Sequence, residues 1–342
     1  MSDETVHQHA IVRPITVHRI VNRVDRVWPL VAPANFALAY EGVVQPDTVL
    51  GQPLIYCADL AAERALYTVQ SRESLEATFA EPTLYAAQLK QARRILSVPF
   101  ERLEEMAPMH GLHPTFIFSL GRTGSTLLSR MLDAIGRSSV SEPDLFTQIA
   151  VLGPGGQRRL GSVAERQLLL AGVASLARYR GRDVFIKLRN QCNAAPERLM
   201  AAVPYAKAAF MLRDRHAWGL SRHRAFGETP RKVANTLREA VVALDRLLKI
   251  GVTPTVVWYE DLLARPHEVL LKLVAHSALA PKAIGERVAG VLSVDSQEGS
   301  AVARDKLEAK QVDAGFADEF DREWRAIVPT PLIKQHDLGP LA

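Results

Sequence analysis

The segment Thr115–Met131 reads TFIFSLGRTGSTLLSRM and contains the strongest candidate for an anion-binding site. An apolar, strand-like run leads into a tight loop with Gly121 and Gly124, and Ser125 and Thr126 then open an apolar helix. Glycine permits a turn that most residues resist, and the first N–H groups of a helix have no partner within it. A phosphate accepts from such groups and is favoured by the positive end of the helix dipole. The segment therefore predicts a phosphate-binding loop.

The loop lacks the lysine of a nucleoside-triphosphate site. A Walker loop ends in Gly-Lys-Ser/Thr, whereas Gly124 is followed directly by Ser125 and Thr126, and the positive charge lies upstream at Arg122. The pattern favours a nucleotide ligand that is not a triphosphate. A P-loop kinase or NTPase, with Asp214 as its metal-binding acid, is the alternative, and a non-catalytic nucleotide-binding module is a second.

Strands alternate with helices after Pro114, which predicts an α/β fold with a doubly wound, mainly parallel sheet. Residues 111–342 are assigned to this domain, and residues 1–110 to an α+β appendage of unknown role. In the appendage, residues 51–69 predict strand, turn and strand, and residues 83–106 predict a helix interrupted at Pro99. The predicted strands of the larger domain are residues 115–120, 138–141, 183–188, 207–212 and 255–258, and its helices are residues 126–137, 167–178, 196–203, 217–224, 232–250 and 268–277.

Charged side chains follow several of these strands. Because ligands bind at the carboxyl ends of parallel strands, we expect these side chains to share one edge of the sheet. Ser221 lies eight residues after Arg213, two turns along if the segment is helical, so the two side chains can hold one phosphate together. The residues at the strand ends are Arg122, Glu142, Lys187, Arg189, Arg213, Asp214, Glu260 and Asp261.

These motifs resemble the sulfotransferases that use 3'-phosphoadenosine-5'-phosphosulfate (PAPS). The likeness runs over residues 114–279, about half of the chain, with a weaker echo over residues 296–306. It is greatest to the tyrosylprotein and bacterial branches and implies a P-loop NTPase-like fold. The stretch VVWYEDLLARPHEVLLKL resembles a structural strand and helix of the family. The family's loops usually carry Ser or Lys where this chain has Thr123, and threonine keeps the hydroxyl of serine.

The resemblance implies a role for each matching residue. Glu142, in the sequence SEPD, is the expected base, and Lys187 assists it together with Arg122. The two phosphate-bearing ends of the donor are expected to be held by two sets of residues. The residues expected to bind the 5'-phosphosulfate are Arg122, Thr123, Gly124, Ser125 and Thr126. Arg213 and Ser221 are expected to bind the 3'-phosphate, and Ser300 and Arg304 are expected to close over the nucleotide.

Sulfuryl transfer needs positioning and charge stabilisation more than covalent chemistry, as phosphoryl transfer does. Charge develops on the leaving 5'-phosphate, where Arg122, Lys187 and the loop N–H groups are expected to converge. Side-chain cations then replace a metal ion, so no metal requirement is expected. The acceptor is a hydroxyl or amine of a small molecule, a carbohydrate, a lipid headgroup or a peptide, and the sequence distinguishes none of these.

Composition is that of a globular protein. The 342 residues are 48% hydrophobic and 23% charged, and 42 Lys and Arg against 37 acids give a net charge of +5. The sequence has no dense block of basic residues, so no nucleic-acid partner is expected. No signal peptide or membrane span is recognised. The two cysteines, Cys57 and Cys192, are typical of a protein in a reducing cytosol. A cytoplasmic location is expected.

Histidines offer two further possibilities. His216 and His223 lie near the proposed 3'-phosphate motif, and other sulfotransferase branches use a histidine base. Their position after a different strand favours solvated or helix-face histidines. His7 and His9 fit a frayed terminus better than a metal site.

Overall fold

The computed structural model describes residues 12–24, 29–49, 51–152, 161–274, 281–295, 303, 306–307, 310 and 315–341. Two five-stranded sheets organise this part of the chain, one antiparallel and one parallel. None of the helices described there is long and apolar enough to cross a membrane.

The antiparallel sheet is formed by the first five strands, in the order β2-β1-β5-β4-β3. The predicted strand, turn and strand of residues 51–69 are confirmed as β3 and β4, which pair antiparallel. The elements are β1 (Ile15–Arg23), β2 (Phe36–Val44), β3 (Gln52–Asp59), β4 (Arg64–Gln70), α1 (Arg72–Ala80), α2 (Leu84–Gln91) and β5 (Arg94–Pro99).

The prediction of a helix over residues 83–106 is wrong beyond Gln91. Residues 94–99 form β5, the central strand of the antiparallel sheet, which pairs with β1 on one side and β4 on the other. Ile95 and Leu96, which are neighbours in this strand, lie in separate hydrophobic clusters. Adjacent side chains of a strand point to opposite faces, and strand partners distant in sequence override a local helical spacing.

The parallel sheet has the order β10-β9-β6-β8-β7, and all of its pairings are parallel. The predicted mainly parallel sheet is thus observed. The strand β6 is central, and the chain order reverses there, which is where open α/β sheets bind ligands. Its strands are β6 (Thr115–Ser119), β7 (Ser139–Ser141), β8 (Phe185–Lys187), β9 (Lys207–Leu212) and β10 (Thr255–Trp258).

Helices cover both faces of this sheet. Ile117 and Met211 contribute to a cluster with α3, α10 and α11, whereas Phe116 and Phe210 belong to the larger cluster on the other face. The helices are α3 (Ser125–Ala134), α4 (Asp144–Val151), α5 (Ser162–Arg180), α6 (Pro196–Ala202), α7 (Arg215–Phe226), α8 (Pro230–Lys249), α9 (Tyr259–Ala264), α10 (Pro266–Leu273), α11 (Pro281–Leu292), α12 (Phe316–Ile327) and α13 (Thr330–Gln335). Short 3₁₀ helices occupy Pro29–Asn35, Pro46–Thr48, Phe100–Glu105, Asn190–Ala194 and Gly339–Leu341.

The larger hydrophobic cluster joins the two sheets. Ile55 and Tyr67 of the antiparallel sheet belong to it together with Phe146 and Leu169 of the helices between the sheets. The edge strand β3 is also hydrogen-bonded to those helices. The Gln148 side chain donates to the Ala58 carbonyl at 2.7 Å and accepts from the Ala58 N–H at 2.8 Å. The amide thus completes the edge of β3 as a neighbouring strand would.

Candidate functional site

The carboxyl ends of the parallel strands bring charged side chains to one edge of the sheet. The loop after β6 carries Arg122, Glu142 follows β7, and Lys187 is the last residue of β8. Arg213 follows β9, and the same segment continues into α7. Two cavities open along this edge, and the loop after β6 lines both of them.

The loop itself adopts a strained backbone. Gly121, Arg122 and Gly124 all have positive φ angles, of 68°, 63° and 82°. Arg122 is the notable case because a residue with a Cβ avoids this region, and such strain clusters at binding sites. A Cβ on Gly124 would lie 2.4 Å from Cδ2 of Tyr259, so the ring also requires glycine here. The helix α3 begins directly afterwards, at Ser125.

Side chains hold four successive carbonyl oxygens of this segment, those of residues 119–122. The donors lie in the 3₁₀ turn after β8, at the end of β9 and on α7, so three segments fix the direction of the loop. We call this arrangement the carbonyl clamp. Its donors are Asn193 Nδ2 to Ser119 at 3.0 Å, Arg222 Nη1 to Leu120 at 2.6 Å, Trp218 Nε1 to Gly121 at 3.0 Å and Arg213 Nη1 to Arg122 at 3.2 Å.

The first cavity has a volume of about 650 Å³ and contains the predicted catalytic residues. Lys187 Nζ lies 2.6 Å from Glu142 Oε1, and the Glu142 N–H donates to the Lys187 carbonyl at 2.7 Å. Glu142 has φ 56°, so its backbone is also left-handed. The Glu142 carboxylate and the Lys187 ammonium group are therefore in direct contact. The described lining residues are Pro82, Thr83, Ser119, Gly121, Arg122, Ser125, Thr126, Glu142, Lys187, Leu188, Arg189, Asn190, Gln191, Arg222, Phe226, Glu228, Lys232, Thr236 and Glu239.

The second cavity has a volume of about 370 Å³ and contains the predicted 3'-phosphate residues. Arg213 and Ser221 both line it, and Arg122 Nε donates to Ser221 Oγ at 3.2 Å. Burial and the neighbouring Arg213 lower the pKa of the Arg122 guanidinium. Two cations held this close favour an anion beside them. The helix α7 thus carries Ser221 to the loop, where it lines the same cavity as Arg213.

Arg213 is held by an aromatic ring that the sequence did not single out. Its guanidinium lies 4.5 Å from the centroid of the Tyr259 ring, and its Nε is buried without a hydrogen-bond partner. Tyr259 is the first residue after β10. In the sequence, the motif YEDL that contains Tyr259 was interpreted as structural. Its position at the end of a strand was the signal that could have identified Tyr259 as a site residue.

Three predicted nucleotide residues differ from the others in placement. Thr123 is fully buried and lines neither cavity, and its Oγ1 has no hydrogen-bond partner. Ser300 and Arg304 lie outside the described residues. The neighbouring Asp295 and Leu307 are described and line the second cavity.

A buried ion pair that sequence reasoning missed lies behind the first cavity. Asp144 is 2% exposed and accepts from Arg189 Nη1 at 2.9 Å. Burial raises the pKa of Asp144 to about 6, against the opposing effect of Arg189. The Arg189 guanidinium also lies 4.6 Å from the centroid of the Tyr85 ring on α2. The N-terminal part of the chain thereby contacts the wall of the cavity.

The remaining candidates have local partners. Asp214 Oδ1 accepts from the Ala217 N–H at 2.9 Å and caps α7. His223 Nδ1 lies 2.9 Å from the Glu228 carbonyl, and His216 lies beside Arg215. Neither histidine lines a described cavity. Within the described part of the chain, no group of three or more His, Cys, Asp or Glu side chains is arranged to hold a metal ion.

Comparison with known proteins gives a distant structural likeness. No protein-family model matches the sequence, and no curated protein matches it. Among solved structures, the chain is similar to the crystal structure of sulfotransferase STF9 from Mycobacterium avium. The two share 12% sequence identity with a TM-score of 0.44, over 69% of this chain and 78% of that chain. A function for this protein therefore has to be argued from the side chains of the two cavities.

Proposed function

We propose that this protein transfers a sulfuryl group from PAPS to a hydroxyl or amine of an acceptor. One observation carries the proposal: Arg122, Ser125 and Thr126 line both cavities, so the loop lies between the Lys187–Glu142 pair and the Arg213–Ser221 pair. A ligand that spans this loop meets cations on both sides. PAPS has this distribution of charge, with anionic groups at both the 5' and 3' positions of its ribose.

The second cavity supports the nucleotide end of the donor. Arg213 has an unpaired buried Nε, and Ser221 supplies a hydroxyl, which together suit the 3'-phosphate. Apolar side chains of Leu220, Leu292 and Val294 line the same cavity and offer a surface to the base.

The first cavity supports the transfer step. The acceptor oxygen forms a bond to sulfur, while the bond from sulfur to the bridging oxygen of the 5'-phosphate breaks. The acceptor proton passes to the Glu142 carboxylate, and the leaving group is adenosine 3',5'-bisphosphate. Lys187 and Arg122 stabilise the charge that develops on the leaving phosphate. All atoms and charges balance without a metal ion.

The open side of the first cavity is the proposed acceptor site. Pro82 and Thr83 from the N-terminal part, Phe226 at the end of α7 and Thr236 on α8 line it. The residues 1–110 are thus proposed to contribute to acceptor binding, beside the transferase domain of residues 111–342. Glu228, just beyond the end of α7, lines the same cavity.

Calorimetric titration with adenosine 3',5'-bisphosphate, AMP and ATP tests the donor. We expect the bisphosphate to bind more tightly than AMP by about tenfold or more, since the 3'-phosphate gains charge-assisted hydrogen bonds. Arg213→Ala should remove most of this preference, with a smaller loss of AMP affinity, because Arg213 also donates to the Arg122 carbonyl of the loop. Arg215→Ala is the matched control, because Arg215 lies two residues on, pairs with Asp321 and lines neither cavity.

Two outcomes would contradict the proposal. ATP binding more tightly than the bisphosphate would favour a kinase or NTPase. If PAPS binds but hydrolysis or transfer in the presence of EDTA is the same in wild type, Glu142→Gln and Lys187→Ala, the chain is a binding module.

A further inference from the structure

Arg222 and Glu228 form a buried ion pair beside the loop, at the wall of the first cavity. Arg222 Nε lies 2.5 Å from Glu228 Oε2, and Arg222 Nη2 lies 2.9 Å from Glu228 Oε1. Both side chains are 8% exposed. This two-pronged contact fixes the plane of the guanidinium.

The third guanidinium nitrogen points at the loop. Arg222 Nη1 donates to the Leu120 carbonyl at 2.6 Å, the second oxygen of the carbonyl clamp. The Trp218 side chain, one turn earlier on α7, donates to the next carbonyl, that of Gly121. Each of the three guanidinium nitrogens therefore has a partner, and the charge of Arg222 is used within the protein.

The carboxylate is held from a second side. Lys232 Nζ lies 3.2 Å from Glu228 Oε1, and burial, which raises the pKa of Glu228, is outweighed by Arg222 and Lys232, so the pKa lies below its ordinary value. A buried ion pair is weak evidence for stability, because apolar residues of similar volume often serve stability as well or better. The geometry of this ion pair therefore indicates that it positions the neighbouring loop.

We infer that Arg222 is a positioning residue for the loop Gly121–Thr126 and that Glu228 orients it. The pair holds the Leu120 carbonyl, so the strained turn at Gly121 and Arg122 keeps its shape before an anion arrives. Such preorganisation strengthens binding because the loop does not have to be ordered by the ligand. The inference rests on the proposed function only for the nature of that anion.

Ser221 and Arg222 are neighbours on α7, with different tasks. Ser221 faces the second cavity and accepts from Arg122, whereas Arg222 fixes the backbone that precedes Arg122. The same helix therefore fixes the conformation of the loop and the position of the Ser221 hydroxyl.

Glu228→Gln and Arg222→Lys test the inference. Glutamine keeps the shape of the Glu228 side chain but removes its charge. Lysine keeps the charge of Arg222 but cannot form the two-pronged contact of a guanidinium. We expect amide hydrogen exchange of residues 120–126 to become faster in the ligand-free protein. Affinity for adenosine 3',5'-bisphosphate should fall about tenfold in each variant, the loss expected from one charged hydrogen-bond partner.

Glu165→Gln is the matched control. Glu165 pairs with both Nε and Nη2 of Arg198, at 3.0 and 2.5 Å, and Arg198 Nη1 donates to the Leu152 carbonyl, but neither residue lines a described cavity. We expect Glu165→Gln to lower the melting temperature, because it also breaks a partly buried ion pair, and to leave loop exchange and nucleotide affinity unchanged.

Unchanged loop exchange in both test variants would overturn the inference, as would an equal effect of Glu165→Gln. If Glu228→Gln does not fold, Arg222→Lys alone decides the matter. Failure of the wild type to bind the bisphosphate would contradict the proposed function, whereas the exchange measurement in ligand-free protein would still test the positioning role.

Discussion

At the scale of single residues, the backbone of the loop is set by contacts from outside it. Gly124 has φ 82° and lies against the Tyr259 ring, and the same ring holds the Arg213 guanidinium. One aromatic side chain therefore decides both which residue fits the loop and where a cation lies. The glycines were recognisable from the sequence, but the contact of Gly124 with the Tyr259 ring was not, because the two residues are distant in the chain.

Gly124→Ala should therefore lower the free energy of unfolding more than a glycine-to-alanine change at another left-handed position. The new Cβ would lie 2.4 Å from the Tyr259 ring, in addition to the left-handed backbone. Gly136→Ala is the control, since Gly136 has φ 78° with nothing within 4 Å of the added Cβ. We expect the control to cost about 1–2 kcal/mol from backbone strain alone, and Gly124→Ala to cost at least ~1 kcal/mol more. Urea unfolding measures both, and equal losses would contradict the clash.

Asp144 makes stability depend on pH. Its pKa in the folded protein is about 6 because of burial, whereas an unfolded aspartate has a pKa of about 3.9. The folded state therefore holds more protons between these values, and its stability falls as the pH rises from 5 to 7. Relative to Asp144→Asn, which has no such proton, the wild type should lose about 1 kcal/mol over this range. Urea unfolding of both proteins at each pH checks the sign, and a gain by the wild type would contradict the shift.

At the scale of elements, the sequence predicted those strands and helices that are determined by the local pattern of apolar and polar residues. The strands β6 and β9 are short apolar runs buried on both faces, and the edge strand β10 is a short apolar run that is partly buried. All three were predicted to within a residue or so. The strand β5 was predicted as helix, since its place between β1 and β4 depends on strands distant in sequence.

The same limit applied to the site. Strand-end residues such as Lys187 and Arg213 follow from alternation of strands and helices. Trp218 and Arg222 were missed, although their spacing of four residues on α7 places them on one helix face. Asp144 was missed because its partner Arg189 is brought to it only by the pairing of β7 with β8.

Gln148 offers a test of how the two sheets are joined. Gln148→Leu would leave the N–H and carbonyl of Ala58 without these partners at a buried strand edge. We expect a loss of about 1–3 kcal/mol in the free energy of unfolding. Gln335→Leu, at the exposed end of α13, should change it by less than ~0.5 kcal/mol. A similar small effect of both changes would show that the amide contact contributes little.

At the scale of the whole molecule, the hydrophobic cluster that includes both sheets implies that they unfold together. The chain carries a natural probe in each part, because Cys57 lies in β3 and Cys192 in the 3₁₀ turn after β8, and both are fully buried. Burial raises the pKa of both thiols, that of Cys192 to about 12, so neither reacts while its surroundings are folded.

Pulse labelling with iodoacetamide in increasing urea, read by peptide mass spectrometry, measures the two openings separately. We expect Cys57 and Cys192 to become reactive with the same midpoint, and with opening free energies that agree within ~0.5 kcal/mol. Earlier labelling of Cys57 would show instead that residues 1–110 unfold independently.

The contact between Gly124 and Tyr259 also restricts how this chain can vary over evolutionary time. A residue with a side chain at position 124 has to tolerate a left-handed backbone, which leaves asparagine or aspartate as the nearest replacements, and it needs the volume that the ring fills. Such a replacement should appear only together with a smaller residue at position 259. That smaller residue would remove the aromatic face beneath Arg213, so the two positions are expected to change as a pair or to stay fixed.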